Sequence, residues 1–318
     1  MGDRLRHGFA ALALLAMAAC EATAPLTSSP TPQARPPAPV AAPKPEPQPS
    51  AASTELATYY RRVQNDLLVQ GLLRSDGGGP DTPFSARQLV ENFETIAFYD
   101  EYARGQGFRR SGGTAGRLKR WPGPVRMALS FGQFVSPEQQ AKDRAAVSNY
   151  AARLRRITGH PIGMSEASPN FHVFFMGEDD RPQLLREVQK IVPNINPAAL
   201  NIFADLPRSI HCLVIAFSGS DGGYDYARAI ALIRAEHPDL MRLSCIHEEL
   251  AQGLGLANDS PRARPSIFND DDEFALLTTH DEMLLKILYD PRLSPGMTLD
   301  EARPVVEAEA NRLLGGES

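Results

Sequence analysis

The sequence predicts an α+β fold in which a mixed, twisted sheet packs against long helices. Two short runs, Phe171–Met176 and Cys212–Phe217, are almost wholly apolar and have the length of buried strands. A third run, Pro124–Leu129, alternates apolar and polar residues, as a half-buried strand does. The segment Pro137–Thr158 is amphipathic at helical spacing, begins at a proline and ends before Gly159, so it predicts a long packing helix.

The other elements are weaker in pattern. Thr54–Arg74 carries apolar residues near helical spacing and is stopped by Gly77–Pro80, so we expect a helix there. Residues 84–104 fit a helix and a strand equally well, and residues 105–116 are rich in glycine and predict a loop. The later expectations are a short helix over residues 181–191, an edge strand over Tyr226–Ile233 and a helix beginning at Pro238.

The first twenty residues have the composition of a secretory signal. Arg4 and Arg6 form a basic start, and Phe9–Ala19 is an apolar run shorter than the roughly 20 residues that span a bilayer as a helix. The segment Leu15–Cys20 resembles the bacterial lipobox, in which the cysteine is lipidated and becomes the mature N-terminus. Met17 stands where most lipoboxes have leucine, and cleavage nearby with a free Cys20 is the alternative.

Residues 21–50 have the composition of a disordered tether. Ten of the 27 prolines fall in this stretch, with almost no apolar surface to bury. In the lipoproteins that this start resembles, aspartate after the cysteine favours retention in the inner membrane, so Glu21 favours the periplasmic face of the outer membrane. We therefore divide the chain into a signal peptide (1–19), the lipidated cysteine and tether (20–50), a helical extension (51–120), the main domain (121–293) and a C-terminal tail (294–318).

Charge and cysteine content narrow the expected partners. The formal net charge of -5 argues against a nucleic-acid surface, because phosphate binding needs clustered lysine and arginine. The expected partners are the membrane, through the lipid anchor, and a periplasmic protein or peptide. If Cys20 carries lipid, Cys212 and Cys245 form an even pair in an oxidising compartment, which predicts one disulfide rather than two cytosolic thiols.

The helix that begins at Pro238 contains one misleading motif. His247 and Glu248 look like the start of the zinc-peptidase motif H-E-x-x-H, but the second ligand position is Ala251, which has no donor atom. His247 cannot take the place of Glu248 as a ligand, because adjacent side chains point about 100° apart around a helix.

Shifting the register by one residue gives a closer match. The run Glu248–Asp259 resembles the metzincin helix H-E-x-x-H-x-x-G-x-x-H, with the glutamate and the glycine kept as Glu249 and Gly255. Downstream, Ser266–Phe268 is similar to the turn beneath the metal in metzincins, with phenylalanine in place of methionine. The three positions that bind zinc in metzincins hold other polar residues, namely Glu248, Gln252 and Asn258.

The following segment extends the resemblance. Leu277-Thr278, Asp281 and Leu288-Tyr289 are similar to a further helix of those families, and the run to Met297 also resembles a family of uncharacterised proteobacterial lipoproteins. The resemblance implies a zincin-like mixed sheet with packing helices and a degenerate metzincin active-site helix. His280, on that further helix, could approach the former metal site but is expected on the surface, and the acidic run Asp270–Glu273 is expected to be solvated.

The chemistry of these positions favours a site without metal. Glu248 could bind zinc, but the amide oxygens of Gln252 and Asn258 are poor zinc ligands, so neither a metal nor a cofactor is expected. Glu249 would then be a vestigial general base. Two alternatives stay open: the solvated face of a plain structural helix, and an active metal centre. A degenerate site predicts a non-catalytic binding or assembly role in the envelope. An active metal centre would make the protein a metallopeptidase with unusual ligands, and a plain structural helix would make it a structural lipoprotein without a working cleft.

Overall fold

The computed structural model describes residues 48–100, 111, 113–220 and 222–315, so the signal peptide, Cys20 and most of the tether lie outside the described residues. Most of the glycine-rich segment 105–116 also lies outside them. In chain order the structure has α1 (Ala51–Val69), α2 (Ala86–Phe98), β1 (Val125–Phe131), α3 (Pro137–Thr158), β2 (Ile162–Met164), β3 (Phe171–Met176), a 3-10 turn (Glu178–Asp180), α4 (Arg181–Ile191), α5 (Pro197–Ala204), β4 (Cys212–Ser218), β5 (Tyr226–Arg234), α6 (Asp239–Gln252), α7 (Thr279–Leu288) and α8 (Leu299–Gly315).

The five strands form one mixed sheet in the order β2-β1-β3-β5-β4. Strands β1, β2, β3 and β5 are parallel, and β4 runs antiparallel to β5. The prediction of an edge strand at Tyr226–Ile233 is therefore wrong, because β4 pairs with the far side of β5 and itself forms the edge. The run Ala229–Ile233 is buried throughout, as expected for an interior strand that is covered on both faces.

The two faces of the sheet carry separate hydrophobic clusters. Ala229, Ala231 and Ile233 of β5 belong to the large core that also includes residues of α3, α6 and α7. The alternate residues Ile230 and Leu232 pack with α4 and α5 on the other face, because successive side chains of a strand point to opposite sides. Helix α6 contacts β4 and β5, so it lies along the edge half of the sheet.

The helix before the sheet, α1, is attached to the main unit by specific contacts. The Tyr60 side chain is fully buried, and its hydroxyl donates to the Arg208 carbonyl at 3.0 Å. The Gln64 side chain accepts from the Met241 backbone amide at 3.2 Å, at the start of α6. The described residues from 48 to 315 belong to a single compact unit.

Helices α2 and α8 pack against each other. A capping box formed by Ser85 and Gln88 starts α2. The segment from residue 84, where the sequence pattern fitted a helix and a strand, therefore begins with a helix. Ala302, Val306 and Ala310 of α8 are buried, so the segment expected as a tail from residue 294 contributes a helix to the core. These residues are spaced four apart, but they are small and stand among acidic residues, which weakens the apolar pattern. No helix in the described part of the chain has the length and apolar character needed to cross a membrane.

Candidate functional site

The start of α6 is held by a buried ion pair. The Arg242 guanidinium lies 3.2 Å from the Asp143 carboxylate of α3 and donates to the Ala235 carbonyl at 2.6 Å. Burial raises the pKa of Asp143, and the neighbouring Arg242 opposes that rise. Removing one member of such a pair leaves the other charge buried without compensation. The pair therefore holds α6 in place relative to α3.

The end of α6 is shaped by close backbone approaches. The Trp121 indole donates to the Gly253 carbonyl at 2.8 Å, and a Cβ atom at residue 253 would lie 2.5 Å from the Phe171 ring. Gly255 has a φ of +132°, and a Cβ atom there would lie 2.3 Å from the Lys119 carbonyl oxygen. Only glycine fits at residue 255. The helix therefore ends at Gln252 with Gly253 as its cap, and Gly255, the glycine of the metzincin register, lies in the turn that follows.

The predicted ligand positions make internal contacts. Gln252 donates through Nε2 to the Asp259 carboxylate at 3.5 Å, and Asn258 donates through Nδ2 to the Thr95 carbonyl of α2 at 3.0 Å. Glu248 is half-buried on the same helix. One position is therefore joined to its own loop and another to α2. The sequence pattern gave no sign of either contact.

Glu249 is buried, with 3% of its surface exposed, so it does not belong to a solvated face as the structural-helix alternative required. The structure joins Cys212 at the start of β4 to Cys245 of α6 in a disulfide, with Cα atoms 5.9 Å apart. Among the described residues, one group of three His, Cys, Asp or Glu side chains has ligand atoms within 4.8 Å of one another, and it consists of Cys212, Glu248 and Glu249. The Cys212 sulfur is in the disulfide and therefore offers no thiolate.

His247 belongs to the core. Its imidazole stacks on the Tyr150 ring with centroids 4.0 Å apart, and its Nδ1 accepts from the Leu277 backbone amide at 3.0 Å. Burial lowers the pKa of His247 to about 3, so the ring is neutral at physiological pH. Tyr150 belongs to α3 and Leu277 precedes α7, so this side chain faces the packing helices.

A buried carboxylate holds the turn Ser266–Phe268. Asp281, near the start of α7, accepts from the Ser266 hydroxyl at 2.6 Å, the Ile267 amide at 3.1 Å, and the Thr278 hydroxyl and amide at 2.8 and 3.0 Å. Neither Asp281 nor Phe268 is exposed. The hydrogen bonds of Asp281 therefore join the turn Ser266–Phe268 to the start of α7 inside the core.

Two weaker candidates have structural contacts. His280 is fully buried with Nε2 3.1 Å from the Asn92 amide nitrogen, so the expectation of a surface histidine is wrong. In the acidic run Asp270–Glu273, Glu273 lies 2.6 Å from Arg264 and 3.1 Å from Arg74. These contacts, led by the hydrogen bond from Arg264, lower the pKa of Glu273.

A surface cavity of about 480 Å³ lies between α2 and the loop after α6. Asn258 is the only predicted ligand position that lines it. Glu94 of its wall pairs with Arg303 at 2.7 Å, and Asp100 pairs with Lys119. Its described lining residues are Glu91, Glu94, Thr95, Tyr99, Asp100, Ser111, Gly113, Asn258 and Arg262.

Comparison with known proteins gives a family without an assigned activity. No curated protein and no solved structure matches the chain. The model of a family described as "Protein of unknown function (DUF2927)" matches residues 86–308, which run from the start of α2 into α8 and include every strand of the sheet. The chain therefore belongs to the DUF2927 family.

Proposed function

We propose that this protein is a non-catalytic binding protein of the cell envelope, built on a degenerate metzincin-like site. The order of its elements supports the resemblance: a mixed sheet with a long packing helix comes first, then α6 with Glu249, then the turn Ser266–Phe268 and α7. Gly255, at the position of the metzincin glycine, has a backbone that only glycine fits.

The observation that carries the proposal is the state of the three ligand positions. Catalytic zinc takes three protein ligands, usually imidazole or carboxylate, and holds a water whose pKa it lowers to about 7. Here the amides of Gln252 and Asn258 hydrogen-bond within the protein, and Glu248 is the only charged side chain of the three. A general base at Glu249 does little without a polarised water.

The binding surface in this proposal is the cavity beside Asn258. Among the described residues, its wall includes the carboxylates of Glu91, Glu94 and Asp100 and the guanidinium of Arg262, and Glu94 and Asp100 are paired with Arg303 and Lys119. The Glu91 side chain is exposed, and a carboxylate at an interface attracts a cationic partner and speeds its encounter. We therefore propose a polypeptide segment with lysine or arginine side chains as the ligand.

The envelope location rests on the sequence. The apolar run before Cys20 and the proline-rich composition of residues 21–50 support a lipid anchor followed by a spacer. Glu21 supports the outer membrane as the location of the anchor, because it stands where aspartate favours retention in the inner membrane. Such a spacer would hold the domain away from the membrane surface.

Peptide binding and zinc content test the function together. The full chain, kept oxidised and free of chelator, is titrated with fluorescent lysine-rich and glutamate-rich peptides, and its zinc is measured by elemental analysis. We expect lysine-rich peptides to bind, and Glu91→Lys to weaken binding by roughly tenfold or more through like-charge repulsion. The matched control is Glu138→Lys, at an exposed position on α3 outside the cavity wall.

Each other outcome points to a rival. Peptide hydrolysis with one equivalent of zinc, lost in Gln252→Ala, would support a metallopeptidase with unusual ligands. Absence of binding to every peptide would support a structural lipoprotein without a working cleft. Binding that Glu91→Lys leaves unchanged would remove the cavity from the proposal.

A further inference from the structure

Helix α1 is held against the domain by little apolar packing. All 19 of its residues are described, and Tyr60 is the one that is buried. Near its end, Leu68 and Val69 are 45% and 89% exposed, so most of their apolar surface faces solvent. Helices in proteins owe most of their stability to tertiary packing, so α1 depends on a few contacts. It also precedes residues 86–308, the stretch that the family model matches.

A short joint separates α1 from the part of the chain that is fixed to the domain. Gly71 has a φ of +76°, and a Cβ atom there would meet nothing within 4 Å, so this residue has room to change conformation. From Leu73 onwards the backbone is fixed. The Leu73 amide donates to the Asp272 carbonyl at 2.9 Å, and the Arg74 amide donates to the Glu273 carbonyl at 2.8 Å. Helix α1 can therefore turn about residues 70–72 while the rest of the chain stays in place.

The buried side chain of α1 enters a pocket lined by two histidines. The Tyr60 ring centroid lies 4.4 Å from that of His237 and 5.8 Å from that of His211. The guanidinium of Arg234 lies 5.8 Å from the same ring. The His237 side chain is 4% exposed, and among the described residues its Nε2 atom has no hydrogen-bond partner. Burying a polar atom without a partner opposes docking, because water would hydrogen-bond to that atom in the open state.

Single hydrogen bonds complete the attachment near the start of α1. The Ser53 hydroxyl donates to the Glu236 carboxylate at 2.8 Å, and the Ser50 amide donates to the Asp179 carboxylate at 2.8 Å. The second carboxylate oxygen of Glu236 is buried and, within the described part of the chain, has no hydrogen-bond partner. Each such bond contributes little net stability, because water replaces it when the helix leaves. Tyr60 is therefore the main anchor of α1.

The pocket around Tyr60 disfavours additional positive charge. The titratable and charged groups that act on Tyr60 and on the two imidazoles are Tyr59, Arg208, Arg234, Glu236, Arg242 and Asp272. Three of these groups are guanidiniums. Burial, with the nearby Arg234, lowers the pKa of His211 and lowers that of His237 well below its usual range. Both rings are therefore neutral while Tyr60 is docked, and a proton on either ring would be repelled there.

We propose that α1 is a releasable arm, latched by Tyr60 at neutral pH and released when acid protonates the imidazoles of His211 and His237. With the arm open, both rings reach water, and a solvated imidazole has a pKa near 6.5. This value is above the pKa of the docked rings, so the open state binds protons more tightly, and release becomes more favourable as the pH falls below 6.5. Between pH 7.5 and pH 5.0 each ring that becomes fully solvated shifts the equilibrium towards release by up to about 30-fold.

Release would lengthen the connection between the tether and the domain. Nineteen helical residues at 1.5 Å each span about 28 Å, which is the reach that the open arm would add. This gain in reach rests on the lipid anchor of the proposed function. The release itself goes beyond the proposed function and does not depend on it, since the pocket of Tyr60 contains none of the residues that line the cavity beside Asn258.

Hydrogen–deuterium exchange of the full oxidised chain tests the proposal. Amide exchange is followed by mass spectrometry at pH 7.5 and pH 5.0 and corrected for the intrinsic exchange rate at each pH. We expect the protection of residues 51–69 to fall at least about tenfold at pH 5.0. The amides of α3, residues 137–158, serve as the internal control and should keep their protection.

Variants identify the latch. Tyr60→Ala should lower the protection of α1 at least about tenfold already at pH 7.5, because it removes the buried side chain of the arm. The matched control is Glu55→Ala, an exposed position on the same helix, which should exchange like the wild type. His211→Gln combined with His237→Gln should keep the protection of α1 equal at the two pH values, because glutamine does not titrate in this range.

Three results would overturn the proposal. One is equal protection of α1 in the wild type at both pH values. Another is a loss of protection in acid that persists in the double histidine variant. The third is an equal loss in α3, which would mean that the whole domain opens.

Spin labels at Glu55→Cys and Ser209→Cys test the release even if the Tyr60 and histidine variants do not fold. Glu55 and Arg208 line one surface pocket of about 340 Å³, and Ser209 is exposed next to Arg208, so the two labels lie on opposite sides of the docked arm's contact. The native disulfide stays oxidised and does not react with the label. We expect a short distance between the labels at pH 7.5 and a second, longer one at pH 5.0. A single short distance at both pH values would refute the release.

Discussion

His247 allows a quantitative test of how α6 is oriented. Its neutral imidazole accepts from the Leu277 amide and stacks on Tyr150. The perturbation is His247→Asn, measured at pH 7.5 and pH 5.0. The asparagine Oδ1 atom can accept from the Leu277 amide in place of Nδ1, but asparagine does not titrate in this range.

The magnitude follows from the two pKa values of His247. In the unfolded chain the pKa is near 6.5, and burial lowers it to about 3 in the folded protein. Below pH 6.5 the unfolded chain takes up a proton that the folded protein does not, so stability that is present above pH 6.5 is lost as the pH falls towards 3. Between pH 7.5 and pH 5.0 the expected loss from this residue is about 2 kcal/mol in the free energy of unfolding.

Urea unfolding followed by circular dichroism, at both pH values and with a chelator present, measures the effect. The wild type should lose about 2 kcal/mol more between pH 7.5 and pH 5.0 than His247→Asn does. The other buried histidines contribute equally to both proteins and cancel in this difference. An equal loss in the two proteins would refute the burial of a neutral His247 and with it the orientation of α6.

Three other predictions concern the backbone, the turn and the anchor. Gly255→Ala should lower the free energy of unfolding by about 3 kcal/mol or more, because its Cβ atom would meet the Lys119 carbonyl. In the control Gly123→Ala the Cβ atom would meet nothing within 4 Å, so the thermal midpoint should change little. Equal shifts of the thermal midpoint in the two variants would contradict the loop geometry. Asp281→Asn should lower the free energy of unfolding in urea by at least about 3 kcal/mol, because hydrogen bonds to a charged acceptor contribute about 1.5–3 kcal/mol each. A loss below about 1 kcal/mol would contradict the role of the Asp281 hydrogen bonds. Mass spectrometry of membrane-extracted protein should find acylated Cys20, and a mature form that begins elsewhere would rule out the anchor.

Local signals predicted the best-defined elements. The bounds of α3 and β3 coincide with those expected, because a helix that opens at a proline and ends before a glycine, or a compact apolar run, is complete within the segment itself. The position of β5 depends instead on its pairing with β4, which the pattern of Tyr226–Ile233 does not contain. The short strand β2 and helix α5 are too brief to produce a period.

The candidate site also has features that the local sequence predicts and features that only the packing of distant elements determines. Spacing along α6 was enough to separate His247 from Glu248, and the resemblance to the metzincin motif pointed to Gly255. The burial of Glu249 depends on how α6 lies against the edge of the sheet. The bond from Asn258 to Thr95 joins residues 163 positions apart, and the packing of α2 that creates it follows from the whole core. No local pattern carries such information.

Restoring the lost imidazoles tests the central claim most directly. Glu248→His, Gln252→His and Asn258→His are combined in one protein, which is kept oxidised so that the two cysteines cannot bind metal. Circular dichroism establishes that this variant is folded, and calorimetric titration measures its zinc binding beside the wild type. A degenerate metzincin-like site predicts one equivalent of zinc in the triple variant and none in the oxidised wild type. A folded triple variant that binds no zinc would contradict the register of α6 and the metzincin resemblance.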